Sequence, residues 1–159
     1  MYNKKEVLQK VDMLYNMWKE GSLGGEVMPE DANPHLDKSS VENYLYFTLP
    51  MALNYQRNSY KLWESALNTY NDKETNFVFN PKICINKTFE EVQYALVKYK
   101  VALQKQKQTE IWLFLCKTFV ELYDGDIRKL FDSLDNDVDK IRNFIQKENK
   151  KKFPYLSGT

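Results

Sequence analysis

The chain has 159 residues, 43% of them hydrophobic and 14% aromatic, enough for one ordinary domain with a substantial core. Its 23 basic residues nearly cancel its 22 acidic ones, so overall charge selects neither a nucleic-acid binder nor a membrane-surface protein, and only local clustering could do so. The longest apolar run, IWLFLC at 111–116, is too short to span a bilayer and the N-terminus is polar, which points to a soluble, cytoplasmic protein without a membrane partner.

The first element reads from NKKEVLQKVDMLYNMWKEG, where Val7, Leu8, Val11, Leu14, Tyr15 and Trp18 recur at helical spacing between an Asn3 cap and a Gly21 stop. SLGGEVMPEDANPHLDKSS then holds Gly24, Gly25, Pro29 and Pro34, too many breakers for a regular element, and reads as an irregular ordered loop over about 21–39. SSVENYLYFTLPMALNYQ resumes helical periodicity, with Pro50 expected to kink or break it. NSYKLWESALNTYND places Tyr60, Trp63, Ala66, Leu67 and Tyr70 on one helical face, completing a helical pair.

In KETNFVFNPKICIN the alternation of Phe77, Phe79, Ile83 and Ile85 would suit a short hairpin, but Asn80-Pro81 interrupts it, and an irregular loop is the better reading. TFEEVQYALVKYKVALQKQKQ opens with Thr88 and Glu91 at capping-box spacing, and Phe89, Val92, Leu96, Tyr99 and Leu103 predict one continuous helix. TEIWLFLCKTFVELYDG follows at once, apolar around nearly its whole circumference, as expected of a central buried helix ended by Gly125. DIRKLFDSLDN and DVDKIRNFIQKENKKK read as two short amphipathic helices with Asp126 and Asp137 at their starts and lysines at the end, as the helix dipole favours. The fold class that follows is all-α: a single multi-helix domain over 1–159.

Few residues invite chemistry. His35 is the only histidine, and neither it nor Cys84 and Cys116, which are far apart in apolar surroundings, has the neighbours of a metal site or a nucleophile pair. The cysteines read as core thiols of a reducing compartment. GGEVMPED at 24–31 has the double glycine of a phosphate loop but not its Lys-Ser/Thr, and reads as a turn. The clustered acids at 90–91 and 132–139 fall at helix starts and solvated faces. No cofactor and no metal are implied.

Two stretches remain. Asn54, Gln56, Arg57 and Asn58 form a polar cluster directly after a run of core residues; amides and an arginine can read base edges or phosphates, or simply cap a helix junction. Residues 140–152 carry Lys140, Arg142, Lys147, Lys150, Lys151 and Lys152 against the lone acid Glu148, the only marked charge asymmetry in the chain.

That basic segment runs into FPYLSGT, and the order of segments resembles the helix-hairpin-helix DNA glycosylase superfamily over roughly residues 39–159. YFTLPMALNYQRNSYKLWESAL looks like its early helix pair, with Gln56 where that family often has a base-proximal glutamine. Pro154 to Gly158 looks like a degenerate form of its phosphate-binding hairpin, with Tyr155 and Ser157 where the family usually has glycine. The resemblance implies a helical, DNA-binding, DNA-repair domain that contacts nucleic acid through Gln56, Arg57, Lys147, Lys150, Lys151, Lys152, Ser157 and Gly158. Binding is expected to be weak and salt-dependent. The family's catalytic aspartate, and the lysine of its lyase members, follow the hairpin, so no residue of this chain is assigned a catalytic role. The alternative is a non-enzymatic structural or protein-interaction helical domain.

Overall fold

The computed structural model describes residues 3–23 and 28–156. Among them the chain is helical throughout, with eight α-helices: α1 (Lys4–Lys19), α2 (Val41–Leu53), α3 (Ser59–Asn71), α4 (Pro81–Cys84), α5 (Phe89–Lys98), α6 (Lys105–Tyr123), α7 (Arg128–Asp132) and α8 (Val138–Asn143). Single 3-10 turns lie at Pro29–Asp31 and Asn76–Phe79, and a π-helical turn at Phe144–Glu148 extends α8.

Most of the starts are set by side chains that take up orphan amide hydrogens. Asn3 accepts from Lys5 N, Ser40 from Asn43 N, Asn58 from Lys61 N and Asp137 from Asp139 N. Thr88 and Glu91 form the reciprocal box their spacing predicts, Thr88 Oγ1 accepting from Glu91 N and Glu91 Oε2 from Thr88 N. At the far end of α6, Asp124 and Gly125 both adopt left-handed backbone, the conformation that closes a helix. The loop before α2 is ordered by its own polar groups. Asp31 accepts from Met28 N, Asn33 from His35 N and Asp37 from Ser39 N, while the Tyr46 hydroxyl donates to Ala32 O across 14 residues. The double glycine at 24–25 lies outside the described residues.

The core is one cluster. Tyr46, Leu49 and Leu53 of α2, Leu62 and Trp63 of α3, Leu96 of α5, and Trp112, Leu115 and Phe119 of α6 are fully or almost fully buried. α6 is central, packing on α5 and α4 and also meeting α2. Its Trp112 Nε1 donates to Val78 O at 2.9 Å, tying the Asn76–Phe79 turn to the core. Phe114 and Leu122, however, lie on the surface, so apolarity around the whole circumference of α6 does not mean burial on every side. Cys84 and Cys116 are both buried and free, and burial, with the neighbouring Cys84, holds the Cys116 thiol above its usual range. The tail is fastened by the buried Phe153, whose ring lies against Phe119 and Phe144.

Three expectations change. Of the kink or break expected at Pro50 the break does not occur, since α2 continues to Leu53; being buried in the core, Pro50 is held in place by packing on the remaining helix. Residues 76–84 form two short helical turns rather than a hairpin or irregular loop. Asn80 accepts from Lys82 N and Ile83 N with Pro81 at the first helical position, so Asn-Pro here is a helix start. The predicted helix over 88–108 is broken at 99–104, between α5 and α6. Finally, α1 forms as its pattern predicts, yet none of its residues is buried and Trp18 is 66% exposed.

Replacing Trp112 by Ala removes a fully buried indole and leaves Val78 O without its donor. Urea denaturation is expected to show a loss of about 3–5 kcal/mol. In the same titration neither cysteine should react with a thiol-disulfide reagent at mildly alkaline pH until the chain unfolds; prompt labelling of the native protein would contradict the burial of this pair.

Candidate functional site

The α2–α3 junction and the α5–α6 loop meet through polar side chains. Arg57 Nη1 donates to Val101 O at 2.6 Å and Nη2 to Lys100 O at 2.9 Å. Gln108 faces them from α6: its Oε1 accepts from Leu103 N (2.6 Å) and Gln104 N (2.8 Å), and its Nε2 donates to Leu53 O (3.2 Å). Lys100 takes left-handed backbone to present its carbonyl. These contacts explain why a sequence with continuous helical periodicity turns there: the carbonyls after α5 are satisfied by Arg57 from the α2–α3 junction, and the amides just before α6 by Gln108 of its own first turn. Arg57 Nε remains buried without a partner, and burial lowers the pKa of the guanidinium.

The junction presents Tyr55 and Gln56 outward. Both are exposed, and Gln56 has left-handed backbone with φ +48°. The Tyr55 ring stands perpendicular to the Tyr155 ring of the tail, 6.0 Å between centroids. Lys107 Nζ lies 5.3 Å from the centroid of Tyr155, and the nearby Tyr155 side chain raises the Lys107 pKa. Tyr155 also has left-handed backbone, φ +65°. That is the conformation glycine adopts most readily.

Of the sequence-predicted residues, Gln56 is therefore beside the tail through its neighbour Tyr55. Arg57 donates both terminal nitrogens to the backbone carbonyls of Lys100 and Val101. Lys147, Lys150, Lys151 and Lys152 are exposed, and among the described residues none of them has an ion-pair partner, in contrast to Lys82, Lys87, Lys98, Lys129 and Lys140. Ser157 and Gly158 lie outside the described residues. Asn58 caps α3, and Asn54 donates to Ser59 Oγ, the local capping role open to such amides. Sequence reading missed Tyr55, whose only signal was an aromatic beside Gln56. Lys107 stood with Lys98, Lys100 and Lys105 in a second basic stretch, KYKVALQKQK, that was not assigned to the site.

On another side of the tail lies an open cleft of about 780 Å³. Tyr44, Phe47 and Met51 of α2, Leu130 and Phe131 of α7, and Ile145 and Leu156 form its apolar lining, with Asn33, His35 and Lys38 contributed by the loop before α2. A smaller cavity of about 520 Å³ includes Glu42, Tyr70 and Phe79. There the Tyr70 hydroxyl donates to Glu42 Oε1, and burial first, then that bond, pushes its pKa up to about 12. Among the described residues no three His, Cys, Asp or Glu side chains converge as metal ligands, and no helix is long and apolar enough to cross a membrane.

Compared with models of known protein families, with curated proteins and with solved structures, the chain matches none of them.

Replacing Arg57 by Ala should cost about 1.5–3 kcal/mol, the range for hydrogen bonds to a charged group, read by chemical denaturation. Arg57→Lys should fail to restore it, because one ammonium cannot reproduce the guanidinium fork on two carbonyls. Full rescue by lysine would mean that charge alone holds this junction.

Proposed function

We propose that the chain is a nucleic-acid-binding helical domain of DNA glycosylase type, which engages the nucleic acid through the face around Tyr55, Gln56, Lys107 and Tyr155 and through the lysines at 147–152. The observation that carries the reading is the Tyr55–Tyr155 contact with Lys107 over the second ring. It joins two segments a hundred residues apart, each of which stands out in the sequence for a separate reason. Aromatic rings interleaved with lysines provide what a flexible phosphate backbone and its bases need: stacking surfaces that tolerate any base, and cations that follow the phosphates.

The left-handed backbone at Tyr155 further supports the resemblance of FPYLSGT to a phosphate-binding hairpin, since the family places glycine at that point. Gln56, in the same strained backbone region on the neighbouring turn, is the side chain of this face best suited to hydrogen-bond a base edge. Arg57 acts here as a positioning residue that fixes the turn carrying Tyr55 and Gln56. The reading assigns binding and no base excision to this chain. Lysines and tyrosines of this face attract phosphate and stack bases, but they supply no carboxylate to a glycosidic bond.

Fluorescence-anisotropy titration of labelled single-stranded and duplex DNA of unrelated sequences tests this. Binding is expected to be weak, indifferent to sequence and steeply salt-dependent. Replacing Lys150, Lys151 and Lys152 by Ala should lower affinity and flatten the slope of log affinity against log salt by roughly 0.9 per lost phosphate contact on duplex DNA. Tyr55→Ala should instead cost about 1–3 kcal/mol on single strands with the salt slope unchanged. No binding at low salt, or identical curves for wild type and the triple variant, would remove the assignment.

A further inference from the structure

The large cleft has an apolar side and a polar end, and we infer that it binds a small single-chain amphiphile with a carboxylate head. The apolar body would lie against α2, α7 and the tail, and the head at the loop before α2. Ile127 and Leu130, both buried, form the floor, and half-buried Phe47, Phe131, Ile145 and Leu156 stand around it. A space of about 780 Å³ falls within the range of about 300–1,000 Å³ typical of small-molecule sites, which pair an apolar lining with a few polar groups that fix orientation. Because the walls come from separate elements, one compact apolar body touches several of them at once.

The sign of the head follows from the polar end. Among the described residues the lining holds one charged side chain, Lys38, and no carboxylate. Asn33 and Thr48, which also line the cleft, donate to Glu30 O and Tyr44 O, whereas neither the His35 ring nor the Lys38 ammonium has a partner among the described residues. The nearby charges outside the lining are already engaged. Asp37 Oδ1 accepts from Ser39 N and Oγ, and Arg128 is forked onto Asp126. A carboxylate is the complement of this end; a cationic head would meet Lys38 and no acid, and a neutral head would gain nothing from its charge.

The loop is also set before a ligand arrives. Asn33 Oδ1 accepts from His35 N at 2.8 Å, and Arg128 Nη1 donates to Ser39 O at 2.8 Å, which fastens the stretch carrying His35 and Lys38 at both of its ends. Arg128 opens α7, so the same contact ties the polar end to the helix that supplies Leu130 and Phe131. A prearranged end lowers the ordering cost of binding.

Calorimetric titration of the full chain with dodecanoate, kept below its micelle-forming concentration, tests this, with dodecyltrimethylammonium as the opposite head on the same tail. One dodecanoate should bind per chain, about tenfold or more tighter than the cation, the factor expected of a hydrogen bond to a charged group. The variants change exposed positions, with circular dichroism as the folding control. Lys38→Glu should reverse the preference between the two heads. Met51→Asp, which sets a carboxylate among the apolar lining, should weaken dodecanoate about tenfold or more. Leu14→Asp, on the exposed apolar face of α1, should leave its affinity unchanged. The inference is overturned by a wild type that shows no saturable binding or equal affinity for both heads, and by a Lys38→Glu variant that keeps the wild-type preference. Binding that survives Met51→Asp or is lost in Leu14→Asp would place the amphiphile outside the cleft and overturn it too.

Discussion

The architecture depends on one partly buried polar arrangement, the pair of side chains that hold the α5–α6 turn against the end of α2. Helix termini leave backbone groups that must find partners once water is excluded. At this turn they are met by Arg57 and Gln108, which between them engage the carbonyls of Leu53, Lys100 and Val101 and the amides of Leu103 and Gln104. Neighbouring Val101 and Ala102 are buried while Lys100, Leu103 and Gln104 are exposed, so the turn is anchored through its middle at the edge of the core. An apolar replacement at either side chain would leave at least two of these groups without their partner, which costs more than the net value of a single neutral hydrogen bond.

The same arrangement fixes what lies outside it. Because Arg57 points inward, the residues just before it are turned outward, and Gln56 pays for that turn with left-handed backbone. Lys107 sits one residue before Gln108 on α6, so the residue that caps α6 also sets the lysine that meets Tyr155. From the other direction Phe153, buried against Phe119 and Phe144, delivers the tail to the spot where Tyr155 reaches Tyr55. The proposed nucleic-acid face is thus assembled by core contacts one or two residues away from each of its members.

How much of this could be read from the residues depends on how far away the cause lies. Asn3, Ser40, Thr88, Asn58 and Asp137 cap the helices they begin, a cause within three residues, and the starts of α1, α5 and α8 were legible for that reason. Asn80-Pro81 was misread because the same pair can interrupt a strand or start a helix, and only the packing of Phe79 and Cys84 into the core decides. The break at 99–104 was hidden altogether. No glycine or proline marks it, and its causes are Arg57, more than forty residues upstream, and Gln108, a glutamine whose hold on the Leu103 and Gln104 amides no capping pattern announces. Tyr55 was missed, and Lys107 was read only as one lysine of a basic stretch, on the same account, since their significance lies in a contact with the tail that no local pattern announces. The apolar face of α1 was legible as a pattern, but periodicity says that a face wants cover and not what supplies it.

The tail is the common wall of the two surfaces. Tyr155 turns to the aromatic and basic face while the next residue, Leu156, lines the apolar cleft. Adjacent side chains can serve different sides only if the backbone between them is held firmly. Phe153 is buried two residues before Tyr155, and Tyr155 itself adopts the left-handed conformation that redirects the chain at that point. A glycine there would take that conformation at no steric cost and would contribute no ring. Tyrosine accepts the strain, and what it gains is the contact with Tyr55 and the cation of Lys107. Strain of order 1–3 kcal/mol at one residue persists only where surrounding contacts over-determine it, and at Tyr155 those contacts are the ones from which the proposed binding face is built.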